Sequence, residues 1–248
     1  MKQPTGAETA RLDKILGLTG IGRAEAKKWI AAGRVSVCGN VVRDPGAKAR
    51  FEDVAVDGQP VDAEREVYLM LHKPAGVVTA TEDKRLPTVV DLLPEKYRRR
   101  KLGPVGRLDR DVTGLVLITT DGEMAHRLIS PRWKAEKQYR AECEGCLSKT
   151  DIDAFANGME LSDFTAQPAQ LMILEAGEER SVADVILTEG KFHQVKRMFA
   201  AAGHPLTKLM RLRIGCVTLD PGLAEGEFRP LTEEEIRGLR ALSGLLQE

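Results

Sequence analysis

The sequence predicts an α+β protein with a small N-terminal domain and a larger domain built on a mixed, largely antiparallel sheet. First, 248 residues with 42% hydrophobic and 30% charged side chains form an ordinary globular mixture that can bury a core. Second, two short amphipathic helices and several short strands occupy the first sixty residues. Third, the rest contains many strands and a few helices without a βαβ rhythm. We place the domains at residues 9–61 and 66–248.

The chain shows no sign of export or of membrane insertion. Residues 1–8 contain no apolar leader, and apolar runs such as Val67 to Leu71 are too short to span a bilayer. We therefore expect a cytoplasmic protein, and a monomer. Cys143 and Cys146 form a single C-x-x-C without a second pair at zinc-ribbon spacing, so free thiols are favoured over a redox or zinc site. No metal or cofactor is predicted.

The charge distribution is uneven although the net charge is zero. Residues 95–140 and 190–213 each carry a net charge of +6, and residues 141–189, which lie between them, carry −9. Ordinary solvated surface charge explains the acidic block well. It is a poor explanation for the 23 residues from Lys191 to Arg213, because they contain no acid. A basic face that binds a polyanion is therefore expected.

The first sixty residues read as a helix pair followed by short strands. The first helix is predicted between Glu8 and Gly20 with Thr9 as its cap, and the second from Gly22 to Ala32, ended by Gly33. Alternating residues then predict a strand at 34–38, a tight turn at Gly39-Asn40, a returning strand at 41–43 and a further strand at 54–56 before Asp57-Gly58.

These residues resemble an S4 RNA-binding domain, through Arg11-Leu12-Asp13-Lys14, Gly22 to Ala26 and Gly33-Arg34-Val35. The resemblance implies a helix pair and a hairpin that hold structured RNA. Five cations fall within the helix pair and could contact phosphates without reading sequence: Arg11, Lys14, Arg23, Lys27 and Lys28. The alternative is an ordinary helical hairpin with solvated lysines.

A charged loop precedes a strongly apolar strand in the larger domain. A strand from Glu66 to Leu71 ends at Lys73-Pro74-Ala75-Gly76, and the loop of Gly106 to Asp111 leads into the strand around Leu115 to Thr119. Asp109, Asp111 and Asp121 compete as the functional acid. Asp121 is most simply a turn or helix cap. Asp109 lies between Arg107 and Arg110, which favours its ionised form, although a structural Arg-Asp turn explains it equally well.

Two further segments complete the candidate chemistry. Residues 137–142 alternate as a strand, so Lys137 and Tyr139 share one face, where a half-buried core tyrosine is the simpler explanation. After Gly190, helical spacing places Val195, Met198, Phe199 and Ala202 on one face and His193, Lys196 and Arg197 on the other. Such a cationic face suits an anionic partner.

Taken in chain order, four segments resemble a pseudouridine synthase of the small-subunit ribosomal RNA (RsuA-like) branch. They are Lys73 to Gly76, Gly106 to Asp109 with Thr113-Gly114-Leu115, Glu136 to Tyr139, and Gly190 to Phe199. Large-subunit members usually carry other residues at Phe192-His193 and Val195-Lys196, which favours the small-subunit branch.

The resemblance implies a role for each matching residue. Asp109 matches the catalytic aspartate, Tyr139 the tyrosine that stacks on the target uracil, Lys196 the cation that pairs with the aspartate, and Arg107 an arginine that holds RNA around a flipped base. Four more residues are assigned to substrate or RNA binding: His193, Gln194, Arg197 and Lys73.

The implied reaction needs no metal, redox step or phosphate donor. The N1-glycosidic bond of uridine breaks, uracil turns while bound, and C5 bonds to the same sugar carbon. One carboxylate suffices, as nucleophile or as base, and the sequence leaves both open. The expected partner is small-subunit ribosomal RNA or an assembly intermediate, with the target base unstacked. The alternatives are a large-subunit target, or a non-catalytic RNA-binding assembly factor.

The remaining segments are predicted to be structural, although residues 209–215 are also expected to line the pocket for uracil. Residues 168–175 and 181–188 read as paired strands, residues 206–217 as a single strand, and residues 232–242 as a closing helix. Thr232 and Glu235 provide a capping box for that helix.

Overall fold

The structure is a computed structural model that describes residues 9–19, 21–61 and 66–246, without the side chain of Leu18. The chain divides into two compact units. The first unit is Met1–Glu66 with Leu93–Leu102, and the second is Val67–Leu92 with Gly103–Glu248. None of the helices in the described ranges is long and apolar enough to cross a membrane.

The first unit contains short elements around a small core. In chain order they are β1 (Ala10–Arg11), α1 (Leu12–Leu18), α2 (Arg23–Ala31), β2 (Val35–Val37), β3 (Asn40–Val41), β4 (Lys48–Ala49), a 3-10 turn (Phe51–Asp53), β5 (Val54–Val56), β6 (Gln59–Pro60) and α3 (Glu95–Arg98). The strands pair as β3-β2-β5-β6 and as β1-β4. Leu12, Ile15 and Leu16 of α1 pack against Ala26 and Ile30 of α2, which confirms the predicted apolar stripe.

Two details of the first unit differ from the prediction. Helix α1 begins after Arg11, and Thr9 lies outside it, because Leu12 donates its backbone N–H to the carbonyl of Ala47 and Arg11 pairs with β4. Residues 8 and 20, the predicted limits, lie outside the described ranges. The hairpin turn is at Cys38-Gly39, where both residues have positive φ, one position earlier than expected.

The second unit is built on one long sheet with helices packed on it. Its elements are β7 (Tyr68–Lys73), β8 (Gly103–Pro104), β9 (Thr113–Thr119), α4 (Gly122–Ile129), a 3-10 turn (Pro131–Trp133), β10 (Lys137–Glu144), α5 (Lys149–Asn157), β11 (Met159–Glu160), β12 (Thr165–Ala166), β13 (Gln170–Ala176), β14 (Arg180–Leu187), α6 (Gln194–Ala201), β15 (Leu206–Ile214), β16 (Val217–Thr218), β17 (Phe228–Pro230) and α7 (Glu233–Leu242).

The strand order is β13-β14-β10-β15-β9-β7-β17, with β16 paired to β15 and β8 to β9. The contact between β15 and β9 is parallel and the other described pairings in this sheet are antiparallel, so the predicted mixed, largely antiparallel sheet is confirmed. At the parallel contact Gly114 has φ +103°, and a Cβ there would lie 2.3 Å from the carbonyl oxygen of Arg211. Only glycine allows the two strands to approach so closely.

In the second unit, the capping predictions hold and one strand prediction fails. Asp121 accepts a hydrogen bond from the backbone N–H of Met124 and caps α4, and Thr232 with Glu235 forms a capping box at α7. Residues 206–217 are not a single strand. Gly215, with φ +55°, donates its N–H to the carbonyl of Glu136 and turns the chain, so β15 and β16 form a hairpin.

Candidate active site

Asp109 lies on a loop that is fixed from beneath by buried groups. The hydroxyl of Thr79 donates to the carbonyl of Leu108 at 2.8 Å and accepts its N–H at 3.1 Å. The N–H of Gly76 donates to the carbonyl of Arg110. Because these partners belong to the segment that follows β7, the loop before β9 is tied to its neighbour in the sheet and presents Asp109 in a defined place.

Lys73 belongs to this support, and its predicted contact with RNA is wrong. The side chain is fully buried, and its ammonium group donates to the carbonyls of Pro74, Arg110 and Val112 at 2.7 to 3.2 Å. Burial lowers the pKa of Lys73 to about 8, against the opposing pull of Asp111 and Asp109. A cation with all three donors used and no exposed surface cannot bind a phosphate.

Helix α6 brings two groups onto Asp109. The Nζ atom of Lys196 lies 3.1 Å from one carboxylate oxygen, and Nε2 of His193 lies 3.3 Å from the other. Val195, Met198 and Phe199 are buried on the opposite face of the helix, where Phe199 meets Phe155 of α5 edge to face. The predicted division of this helix into an apolar and a cationic face is therefore present, and its packing directs the cation toward Asp109.

Asp111 shares the same cation. Nζ of Lys196 lies 2.7 and 2.8 Å from its two oxygens, and this hydrogen bond is the main reason why the pKa of Asp111 is lowered. Burial by itself lowers the pKa of Lys196, but the hydrogen bonds to Asp111 and Asp109 outweigh it and leave the pKa raised. Lys196 is thus held in its charged form between two carboxylates.

Tyr139 occupies the buried face of β10, as its alternation predicts, together with Lys137. The guanidinium carbon of Arg211 lies 6.0 Å from the centre of the Tyr139 ring, and Nε of Arg211 donates to the carbonyl of Leu115. Burial and then the charge of Arg211 lower the pKa of Lys137 to about 8. The tyrosine ring therefore lies beside two buried basic groups.

Asp109 and Tyr139 line one open cleft. The cleft combines apolar side chains with several charged and polar groups, which suits a small organic ligand. Its other lining residues are Arg107, Leu108, Val112, Leu187, Gly190, Lys191, His193, Gln194, Val195, Lys196 and Leu209.

Comparisons with known proteins agree with this geometry. A family model described as RNA pseudouridylate synthase matches residues 67–201, and one described as S4 domain matches residues 10–55. The chain belongs to the RNA pseudouridylate synthase family. The predictions of this family, of an S4 domain and of an enzyme that converts RNA uridine to pseudouridine are therefore confirmed.

Individual relatives cover nearly the whole chain. Ribosomal small subunit pseudouridine synthase A of Escherichia coli (strain K12) is 44% identical over 91% of this chain and 98% of its own length. An uncharacterised RNA pseudouridine synthase of Bacillus subtilis (strain 168) is 42% identical over 91% and 96%. A crystal structure of a pseudouridylate synthase, 36% identical, covers 92% of this chain and 99% of its own with a TM-score of 0.66.

Within this pseudouridylate synthase, two residues that we assigned to RNA have other partners. Gln194 is buried, and its amide nitrogen donates to Glu189 while its amide oxygen accepts the N–H of Lys191. Arg197 bonds Asp163 and Ser162 and does not line the cleft. The prediction for Gln194 is corrected, because its amide groups are used within the protein. Arg197 uses only Nη2 in its two bonds, so its contact with RNA stays a prediction.

The remaining assigned residues are accessible. Arg107 is exposed at the edge of the cleft, and His193 is half-buried within it. In the first unit, the five assigned cations Arg11, Lys14, Arg23, Lys27 and Lys28 are all exposed. Arg11 forms a two-point hydrogen bond with Asp13, which neutralises much of its charge.

Three residues of the site were not identified individually from the sequence. Thr79 is far from Asp109 along the chain, and nothing in its own segment marks it. Arg211 lies within residues 209–215, which were expected to line the pocket, and Leu209 of that segment does line the cleft. Asp111 was considered and set aside, although its spacing of two from Asp109 was a usable signal. The pairing of β15 with β9, which places Arg211 beside Leu115, exists only in the folded sheet.

Proposed function

We propose that this protein isomerises a specific uridine of small-subunit ribosomal RNA to pseudouridine, with Asp109 as the catalytic carboxylate. The observation that carries the proposal is the carboxylate of Asp109, held between Lys196 and His193 in the cleft that Tyr139 lines. One fixed carboxylate beside an aromatic ring is the set of groups that this reaction requires.

The chemistry begins with the bond between N1 of uracil and C1′ of ribose. Asp109 either attacks C1′ or removes the proton from C2′, and in both routes uracil leaves as an anion. Uracil then turns within the cleft and C5 bonds to C1′, while the bond from Asp109 to C1′ breaks or, in the second route, the proton returns to C2′. C5 loses its proton to solvent or to a base, and N1 takes up a proton. The product has the same atoms as the substrate. Lys196 places its ammonium group 3.1 Å from the carboxylate that acts as nucleophile or base.

The apolar walls retain uracil between the two bond-making steps. Tyr139 offers its ring as a stacking surface, and Leu187, Leu209 and Val112 limit the entry of water. Arg107, exposed at the edge of the cleft, suits a contact with the phosphates that flank the extruded nucleotide.

We further propose separate tasks for residues 9–61 and 66–248. The exposed cations of the first segment hold structured ribosomal RNA, and the second segment carries out the isomerisation. The 44% identity with an enzyme named for the small ribosomal subunit supports the choice of subunit. We propose further that the substrate is naked ribosomal RNA or an assembling particle, and that the protein is a cytoplasmic monomer.

Tritium release from ribosomal RNA labelled at C5 of uridine tests the reaction directly, because the C5 proton is lost only when the new bond forms. Wild-type protein should release tritium from small-subunit RNA, and primer extension after carbodiimide treatment should place the product at a single position. Asp109→Asn should release at least about a thousandfold less. Asp153→Asn, which changes an exposed acid in the same unit, is the matched control.

Three results would contradict the proposal at different levels. Equal release by wild type and Asp109→Asn would remove Asp109 as the catalytic group. Release from large-subunit RNA alone would change the substrate. RNA binding without release, from naked RNA and from partly assembled particles, would favour a non-catalytic assembly factor.

A further inference from the structure

Phe192 presents an aromatic ring to solvent beside the cleft. It is 73% exposed, the highest value among the large apolar side chains in the described parts of the chain. Its ring lies flat against the imidazole of His193, with 3.8 Å between the ring centres and 18° between the planes. One face of Phe192 is therefore covered, and the two rings form a small stack with an open outer side.

This stack is fixed to the site by the geometry of its turn. His193 adopts the left-handed conformation, with φ +50°, and its Nε2 atom reaches Asp109. The turn is closed by Gln194, whose side chain accepts the N–H of Lys191 and donates to buried Glu189. A turn with these constraints presents Phe192 in one place, a single residue away from the group that contacts Asp109.

The outer face of the Phe192 ring is open to a ligand. An aromatic ring in this position offers the π-face on which an unpaired nucleobase stacks, whatever the base. Lys191 precedes it and is itself exposed, so a phosphate of the same strand has a cation nearby. The surroundings thus suit a single-stranded nucleotide better than an apolar protein segment.

We propose that Phe192 is the stacking platform for an unpaired nucleobase that adjoins the target uridine in the RNA strand. The proposal rests on the proposed function, since it assumes that the uridine enters the cleft. The neighbour, which loses its stacking partner when the uridine is extruded, stacks on Phe192 instead. This contact compensates part of the cost of unstacking.

The first test measures stacking without catalysis. An RNA fragment containing the modified position carries 2-aminopurine immediately 5′ or 3′ of the target. Wild-type protein should quench its fluorescence at one of the two positions, and Phe192→Tyr should do the same. Phe192→Ala and Phe192→Leu should lose the quenching, because leucine keeps apolar volume without a planar face. Leu174→Ala, which removes another exposed apolar side chain, is the control.

The second test combines a protein variant with an altered RNA and measures KM with the tritium assay, to see whether the two changes act through the same contact. Phe192→Ala should raise KM about tenfold on the intact fragment. An abasic nucleotide at the quenched position should raise the KM of wild type similarly and add little to that of Phe192→Ala. Equal quenching by wild type and Phe192→Ala, or independent KM effects, would overturn the proposal. Absence of tritium release by wild type would count against the proposed function, while the fluorescence result would still decide the role of Phe192.

Discussion

The ammonium group of Lys196 is hydrogen bonded to both carboxylate oxygens of Asp111, at 2.7 and 2.8 Å. This contact is shorter than the 3.1 Å that separates Lys196 from Asp109, although Asp111 has 74% of its side chain exposed and Asp109 has 30%. The cation is therefore shared, and the acid that is more open to water is the closer partner. Asp111 thus helps to set the charge of Lys196 without lining the cleft.

Replacement of Asp111 should shift the pH dependence of the reaction. The hydrogen bond to Asp111 helps to raise the pKa of Lys196, so Asp111→Asn should lower that pKa and move the alkaline limb of kcat to lower pH. We expect kcat at pH 7 to fall about tenfold at most. Profiles of wild type, Asp111→Asn and the control Asp153→Asn, extended above the ordinary lysine pKa of 10.5, check this. An unmoved alkaline limb would refute it.

Lys73→Met should destabilise the second unit and loosen the loop of Asp109. The substitution leaves three backbone carbonyls without their buried donor, which we expect to cost about 3 kcal/mol of unfolding free energy and to lower kcat. Urea unfolding and tritium release measure the two effects. Lys84→Met, at an exposed position, is the control. Equal stability of the two variants would show that Lys73 is not a structural anchor.

Gly114→Ala tests the close approach of β9 and β15. The added Cβ would lie 2.3 Å from a backbone oxygen of Arg211, so the strands must separate, at an expected cost of more than about 3 kcal/mol. Gly226→Ala provides the comparison, because Gly226 has φ +87° and open space around its Cβ position. That change should cost only the left-handed strain of about 1 kcal/mol. Similar losses of unfolding free energy in both variants would mean that the positive φ alone, and not the close approach of β15, requires glycine at position 114.

Lys137→Met should stabilise the protein in a pH-dependent manner. Burial lowers the pKa of Lys137 from 10.5 to about 8, so the unfolded state binds more protons between these values, and wild-type stability gains from this group as pH rises through that window. The methionine variant lacks this penalty and should be more stable by on the order of 2 kcal/mol at pH 7. The difference should shrink toward pH 10. Urea unfolding at both pH values gives the answer, and a constant difference would contradict it.

Removal of the exposed lysines in the first unit should weaken RNA capture. We expect Lys14→Ala, Lys27→Ala and Lys28→Ala in combination to raise KM for ribosomal RNA and to reduce the salt dependence of binding, because fewer counterions are displaced. A charge-matched triple variant in the second unit, Lys84→Ala, Lys149→Ala and Arg237→Ala, is the control. KM is measured with the tritium assay, and the salt dependence of RNA binding is measured by filter binding between about 50 and 300 mM salt. Equal effects of the two triple variants would mean that net charge, and not the position of the lysines, determines RNA capture.

Local patterns predicted much of the fold. The apolar spacing of α1, α2 and α6, the alternation of β10 and the capping residues Asp121 and Thr232 all depend on neighbours within a few positions. The errors concern groups whose burial the local pattern does not show. Lys73 is a long cation that resembles a phosphate ligand, yet its ammonium group is bound by carbonyls of the Asp109 loop, and Gln194 is buried against Glu189.

The sequence by itself predicted the class of fold, the family and the candidate residues Asp109, Tyr139 and Lys196, because periodicity and spaced motifs are carried by the chain. Only the tertiary structure decided which charges are available to a substrate. It brings Asp109, Lys196 and His193 together across 84 to 87 positions of sequence, and it buries Lys73 and Gln194. Whether a polar side chain binds RNA or supports the fold depends on its burial and on hydrogen-bond partners that only packing supplies.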